Sequence, residues 1–390
     1  MLRSSLLSLL LPALLFSATR FTNGLILKNH ELKKGDFWIE NGKIVEPSET
    51  ASQVIDLKGL IAAPGYIDIQ INGAFGIDFS SEPSRVDEAA KLLPRFGVTS
   101  FLPTLVTLDR EKYLEIIPRL QPRKTAGASI LGIHLEGPFF NPKQRGAHQE
   151  KKITAWDNGQ SVETFFGSLQ GVRIVTLAPE TPGALRIISE LKEKGIVASL
   201  GHSNATYDEA LEAIQTGARL ATHLFNAMTP FHHRNPGIAG AVLSQDSLFY
   251  SVILDGHHIH PASAALAWRA SPKGLILISD AIEALGLPAG PCRLGNMDVE
   301  VKGGKALLKG TETLAGSILG LDQAVRNFKA FTGCSTADAL EAASLKPAQL
   351  LGIEKTKGTL QPGADADFLL LDSDLHIQAV YIGGSLVWSQ

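Results

Sequence analysis

Seven of the eleven histidines crowd into one stretch, at positions 202, 223, 232, 233, 257, 258 and 260. Several follow directly on short apolar runs, and so do the acids that matter. ILGIHL leads into Glu136, IVASL and one glycine into His202, and RLAT into His223. FYSVIL leads into Asp255-Gly256-His257-His258, and LILIS into Asp280. An apolar run that stops on an ionisable group is the pattern of a buried strand delivering a functional side chain to its end. Two imidazoles and one carboxylate, with a position left for water, are the ligand set of a hydrolytic, zinc-type centre. Only two cysteines occur, Cys292 and Cys334, too few for a thiolate cluster or a disulfide framework. A metal must therefore be held by histidine and carboxylate, and a reducing compartment fits.

Each of these residues has a plainer role open to it. Glu136 could be a paired loop acid, but an acid ending an apolar run is costly unless paired or metal-bound. His202 could open a helix capped by Ser203 and Asn204, and Asp280 could itself be an N-cap. His232 and His233 read as loop surface. Convergence decides: four separate strand ends, those leading to Glu136, His202, His223 and Asp280, each supply a suitable group. The first apolar run is informative for what it lacks. Many barrel hydrolases place His-x-His there to hold a second metal, whereas this chain has Gln70-Ile71-Asn72. Amide oxygens are weak ligands beside imidazole and carboxylate, so one metal is expected rather than a pair.

The elements that must position these groups are legible in the periodicity. Eight apolar runs occur in order: YIDIQ (66–70), VTSFL (98–102), ILGIHL (130–135), VRIVTL (172–177), IVASL (196–200), RLAT (219–222), FYSVIL (249–254) and LILIS (275–279). Helical patterns such as SRVDEAAKLLPRF and TPGALRIISELKEKG lie between them. This alternation predicts an α/β chain with a parallel sheet, and eight strands predict a (β/α)8 TIM-like barrel with its site at the C-terminal strand ends. A doubly wound open sheet is the alternative. The chain ends read instead as short strands with tight turns, FWIENGKIV being a hairpin about Asn41-Gly42. The expected organisation is a small β-sandwich domain from residues 19–63 and 353–390, around a barrel from 64–352.

Residues 1–18 are expected to form an N-terminal extension. Arg3 and the apolar run Leu6–Phe16 look like a signal segment, too short to span a bilayer. A cytoplasmic enzyme is expected, with secretory or organellar targeting the alternative that this stretch leaves open. No later segment offers a membrane span, and a net charge of -3 gives no basic field for nucleic acid.

The segments PGYIDIQINGAFG, HLEGPFFNPKQRGAHQE, GHSNATYDEA, THLFNAMTPFHHRNPGIAGAV, LDGHHIHP, LISDA and LAGS occur in this order. Together they resemble the N-acetylglucosamine-6-phosphate deacetylases, a branch of the amidohydrolase superfamily, from about Thr19 to the end. The resemblance implies a barrel with a flanking β-sandwich, one divalent metal per subunit and a homodimer. It makes Glu136, His202 and His223 the metal ligands and Asp280 the catalytic acid/base, with His148 stabilising the oxyanion. Zinc is the metal expected, and cobalt, nickel, iron or manganese accept the same ligands. Substrate contacts are implied from Ala147, His148, Asn226, Ala227, Arg234, Asp255, Gly256, His257, His258, Leu314, Ala315 and Gly316. The implied reaction is hydrolysis of N-acetyl-D-glucosamine 6-phosphate to D-glucosamine 6-phosphate and acetate, in amino-sugar catabolism. Another amidohydrolase, acting on a cyclic amide or an N-acyl sugar, is the nearest alternative, and a cyclic-amide hydrolase should carry His-x-His. An inert scaffold would be expected to lose ligands, and a carbohydrate-binding module would need none.

Overall fold

The computed structural model describes residues 18–156, 160–246 and 248–390. All eight apolar runs are strands: Tyr66–Ile71, Val98–Leu105, Ile133–Glu136 (with Ser129–Ile130 before it), Val172–Leu177, Val197–Leu200, Leu220–Ala221, Phe249–Val252 and Leu275–Leu277. Each pairs in parallel with the next. The seam between the eighth and first strands is bridged by backbone hydrogen bonds. Asp280 N–H donates to Gln70 O at 2.9 Å, and Asn72 N–H to Ala281 O at 2.7 Å. Buried Asp68 adds to the seam, its Oδ1 accepting the N–H groups of Gln70 and Ser279. The sheet therefore closes as a TIM-like barrel and is not an open doubly wound one.

Closure explains why the strands lack polar alternation. Side chains of one face fill the barrel interior, and those of the other pack under the helices, so both faces must be apolar. The helix Ala184–Glu193 buries Ile187, Ile188 and Leu191, and Gly195 follows its end at φ 69°, the left-handed turn that glycine adopts without strain. The next helix, Tyr207–Thr216, starts at Thr206, which forms a capping box with Glu209. Ser203 and Asn204 are thus not its caps. No described helix begins at Asp280 either; the next is Leu321–Thr332. The plainer roles for these positions fall away.

Strands from both chain ends form a second, eight-stranded sheet. It starts at Ala18, one residue before the expected Thr19; Ala18 is buried and pairs with Ala51. Residues 1–17, which hold nearly all of the expected extension, lie outside the described residues. The hairpin about Asn41-Gly42 forms, with both residues at positive φ. The strand Ala18–Lys28 is three places from Ile377–Ile382 in this sheet, about 14 Å if it were flat. Yet the rings of Phe21 and Tyr381 stand 5.6 Å apart, and Phe37 and Phe368 join them. The sheet must therefore curl over its own small core.

A further element was not anticipated from sequence. After the eighth barrel strand, Pro291–Leu294, Met297–Lys302 and Lys305–Leu308 make a three-stranded antiparallel sheet, turning at Gly303-Gly304. It is fastened to the barrel by Gly295 N–H on Asp78 Oδ2 (2.7 Å) and Arg293 N–H on Glu283 Oε1 (2.6 Å). Among the described residues no helix is long and apolar enough to cross a membrane.

Candidate active site and metal centre

At the C-terminal mouth of the barrel, three strand ends converge on one point. Glu136 Oε1 lies 3.3 Å from His202 Nε2 and 3.0 Å from His223 Nε2, and the two Nε2 atoms are 3.2 Å apart. All three residues are buried. Edges near 3.3 Å are those expected between ligands held ~2.0–2.1 Å from a common tetrahedral ion.

The donor chemistry also fits a cation. His202 Nδ1 is 2.9 Å from Gln144 O, a carbonyl that can only accept, so the ring proton is on Nδ1 and the Nε2 lone pair faces inward. Burial pushes the His202 imidazole down, favouring this neutral form. Burial acts to raise Glu136, but its contacts with the surrounding imidazoles outweigh this and hold the carboxylate well below its ordinary value. An imidazole lone pair and a carboxylate oxygen at this separation repel unless a positive charge lies between them. The residues fit a divalent metal.

His148 stands beside this triangle, its Nε2 3.8 Å from Glu136 Oε2. Glu136, His148 and His202 also offer ligand atoms within 4.8 Å of one another, so His148 competes with His223 for the third place. The tautomer separates them. Thr107 N–H donates to His148 Nδ1 at 3.2 Å, so Nε2 carries the proton and points inward as a donor. Burial pushes this ring down to about 3, so it stays neutral. His148 is thus turned to donate a hydrogen bond into the site, which leaves His223 the better candidate for the third ligand.

Asp280 Oδ1 accepts from Asn72 Nδ2 (2.8 Å) and Gln70 Nε2 (3.3 Å). Oδ2 has no partner among the described residues. Burial first, then the charge of Glu136, pushes the carboxyl up to about 7. Gln70 Nε2 also donates to Glu136 Oε1 at 2.9 Å, tying the acid to the ligand. These two amides, notable in the sequence only for not being histidines, therefore orient the acids. The rule that a buried amide must find partners was the signal available for them. Phe140, also missed, stacks on the His202 ring at 4.2 Å and fixes its plane.

Backbone strain collects here. His202, His223 and Asp280 have φ of 50°, 32° and 47°, and Phe225 and Ala227 are also left-handed. Such angles are uncommon without glycine and persist where surroundings over-determine them, as functional sites do.

Glu136, His148, His202, His223 and Asp280 line an open cavity with Ala147, Asn226, Ala227, His258, Leu314 and Gly316. Asn72, Val106, Gly146, Ile253 and Leu294 complete it, Leu294 coming from the added three-stranded sheet.

The sequence matches the amidohydrolase family over residues 61–387. It is 49% identical over 391 residues to N-acetylglucosamine-6-phosphate deacetylase of Bos taurus, covering 95% of each chain. The Homo sapiens deacetylase is likewise 49% identical, with 95% of each covered. The fold superposes with a TM-score of 0.87, at 34% identity, on an aspartate-to-alanine mutant of the Mycobacterium smegmatis deacetylase solved with N-acetyl-D-glucosamine-6-phosphate. That match covers 95% of this chain and 99% of the other. The chain belongs to the N-acetylglucosamine-6-phosphate deacetylase family of amidohydrolases.

The other contacts implied for this family fall at varying distances from the cavity. Asp255 takes the N–H groups of His257 (2.8 Å) and His258 (2.9 Å) on Oδ1 and His258 Nδ1 on Oδ2 (2.7 Å), which turns His258 Nε2 toward the cavity. Asp255 therefore acts through His258, while Gly256 and His257 are exposed and do not line the cavity. Ala315 is buried between two lining residues, Leu314 and Gly316. Arg234 is the outlier. It is exposed and borders a separate surface hollow with Tyr207, Asp208 and Asn235, outside the cavity of its own chain.

Proposed function

We propose that this chain hydrolyses N-acetyl-D-glucosamine 6-phosphate to D-glucosamine 6-phosphate and acetate. The observation that carries this reading is Asp280, whose free Oδ2 shares one cavity with the triangle of Glu136, His202 and His223. A divalent metal held by those three residues supplies Lewis-acid polarisation and lowers the pKa of water. Asp280 accepts the proton of the attacking water and passes it to the departing nitrogen, which leaves poorly unless protonated. His148 Nε2–H donates to the acetamide oxygen as negative charge develops on it. His258 and Asn226 orient the sugar. Gln70 keeps Asp280 and Glu136 from drifting as protons move.

Among the described residues no lysine or arginine lines the cavity of a single chain to meet the phosphate, and Arg234 stands outside it. We assign Arg234 to the substrate phosphate of a neighbouring subunit in a homodimer. Arg234→Ala should lower kcat/KM for the phosphorylated sugar by about one to two orders of magnitude, the value of a charge-assisted bond to phosphate. It should barely alter the slower reaction of unphosphorylated N-acetylglucosamine. Mixing Arg234→Ala with Asp280→Asn protein should restore activity, because a mixed dimer rebuilds one complete site. No recovery, or equal losses on both sugars, would remove Arg234 from phosphate recognition.

The reading as a whole is tested by acetate release from zinc-loaded protein. Three sugars should be compared: the 6-phosphate, its 4-epimer, and the unphosphorylated form. Turnover should be highest with the first; absence of acetate from all three would end it.

A further inference from the structure

Four of the eight strand ends place an ionisable group in the cavity directly, but the fourth strand, Val172–Leu177, places none. Ala178-Pro179-Glu180 comes next in the chain, and Glu180 does not reach the cavity. Its carboxylate is nonetheless fully engaged. Oε1 accepts Asn204 N–H at 2.6 Å and Asn141 Nδ2 at 2.9 Å, and Oε2 accepts Ser203 Oγ–H at 2.7 Å.

These donors come from the two loops that hold His202. Asn141 N–H donates to His202 O at 3.0 Å, and in the same loop Gln144 O takes the His202 Nδ1 proton. Ser203 and Asn204 are the two residues immediately after His202. Glu180 thus fastens the backbone just beyond a residue held at φ 50° to the loop that orients that residue's ring. The turn carrying Glu180 is itself fixed, since Ala178 N–H donates to Phe139 O at 2.8 Å and Thr181 Oγ1 to Ala178 O at 2.8 Å. A third loop closes the arrangement, with Ser203 N–H on Ala227 O at 3.0 Å. A left-handed histidine relaxes when its flanks are freed, and its Nε2 then swings off the line to Glu136 and His223.

We propose that Glu180 is a positioning residue for the metal ligand His202, acting across the gap between the third and fifth strand ends. The proposal rests on the reading of His202 as a ligand. Groups that orient a ligand, without touching the metal, typically contribute 10–100-fold in metal affinity.

The test is zinc titration of metal-stripped protein, with its melting temperature read alongside. Glu180→Ala should raise the zinc Kd by about 10–100-fold and leave the Tm of the metal-free protein within a few degrees. Glu180→Gln keeps an acceptor for Asn204 and lets the Ser203 hydroxyl turn to accept, so it should lie nearer the unaltered protein. The decisive variant combines Glu180→Ala with His202→Asn: if Glu180 works through His202, the combination binds zinc no more weakly than His202→Asn alone. An undiminished second loss would overturn the proposal, as would an unchanged Kd accompanied by a lower Tm. If His202→Asn alone leaves the Kd unchanged, the ligand reading itself fails, which is a separate result from failure at Glu180. Should Glu180→Ala not fold, Ser203→Ala removes one bond of the clamp and reports on the same question.

Discussion

His223→Asn is expected to strip the protein of stoichiometric metal and lower acetate release by roughly three orders of magnitude or more, while the barrel stays folded. Asparagine is the right probe because position 223 has φ 32°, a region that asparagine tolerates better than alanine. Its backbone N–H can keep its bond to Ser251 Oγ (2.8 Å), so the strand end need not move. The short amide cannot reach the point where Nε2 meets Glu136 Oε1, and amide oxygen is in any case a weak partner for a zinc-type ion. The metal's polarising effect is worth several kcal/mol in the transition state, which sets the scale of the rate loss. Elemental analysis, circular dichroism and acetate release read the three parts separately. Full metal content with near-normal turnover would move the ligand set elsewhere, with His148 the first candidate.

The barrel was legible because its signal is physical and repeated. A parallel strand covered on both faces must be apolar throughout, and eight such runs separated by helical patterns leave few other architectures. The terminal hairpin was legible for a different reason: Asn41-Gly42 specifies the turn locally. The added three-stranded sheet was not read, although MDVEVKGGKALL alternates and turns on two glycines. Coming after the eighth barrel strand, it belonged to neither of the two patterns being counted. It matters, since its first strand brings Leu294 to the cavity wall.

Within the site, the sequence could suggest each group's arrival at a strand end. It could not give orientation. Whether His148 or His223 is the ligand depends on which ring nitrogen carries the proton, and that is set by Thr107 N–H, forty-one residues away in sequence. Glu180 was invisible for the same reason, because its partners Asn141, Ser203 and Asn204 lie on two other loops. Arg234 shows the converse. A family match can name a residue, yet only the fold reveals that its side chain stands outside the cavity of its own chain.

Asp280→Asn separates proton transfer from everything else the site does, and kcat should fall by at least ~10²-fold, the usual scale of general acid–base catalysis. The substitution is close to silent structurally. Asparagine tolerates φ 47°, and its Oδ1 can still accept from Asn72 and Gln70. The lone pair on Oδ2 disappears, replaced by an amide that can neither take a proton from water nor return one to nitrogen. Metal content should be retained, because the ligands come from the third, fifth and sixth strand ends and Asp280 from the eighth. Substrate affinity should change little. The pH dependence has a fixed sign: the reaction begins with the carboxylate, so the unaltered enzyme must lose activity as pH falls through the Asp280 pKa. Burial and Glu136 push that pKa up to about 7, whereas a neighbouring divalent cation acts in the opposite direction, so the acid limb should fall between 3.8 and about 7. Kinetics of the Asn variant with full metal decide the matter. If turnover survives, another group moves the proton, and Asp280 serves only to hold Asn72 and Gln70 in place.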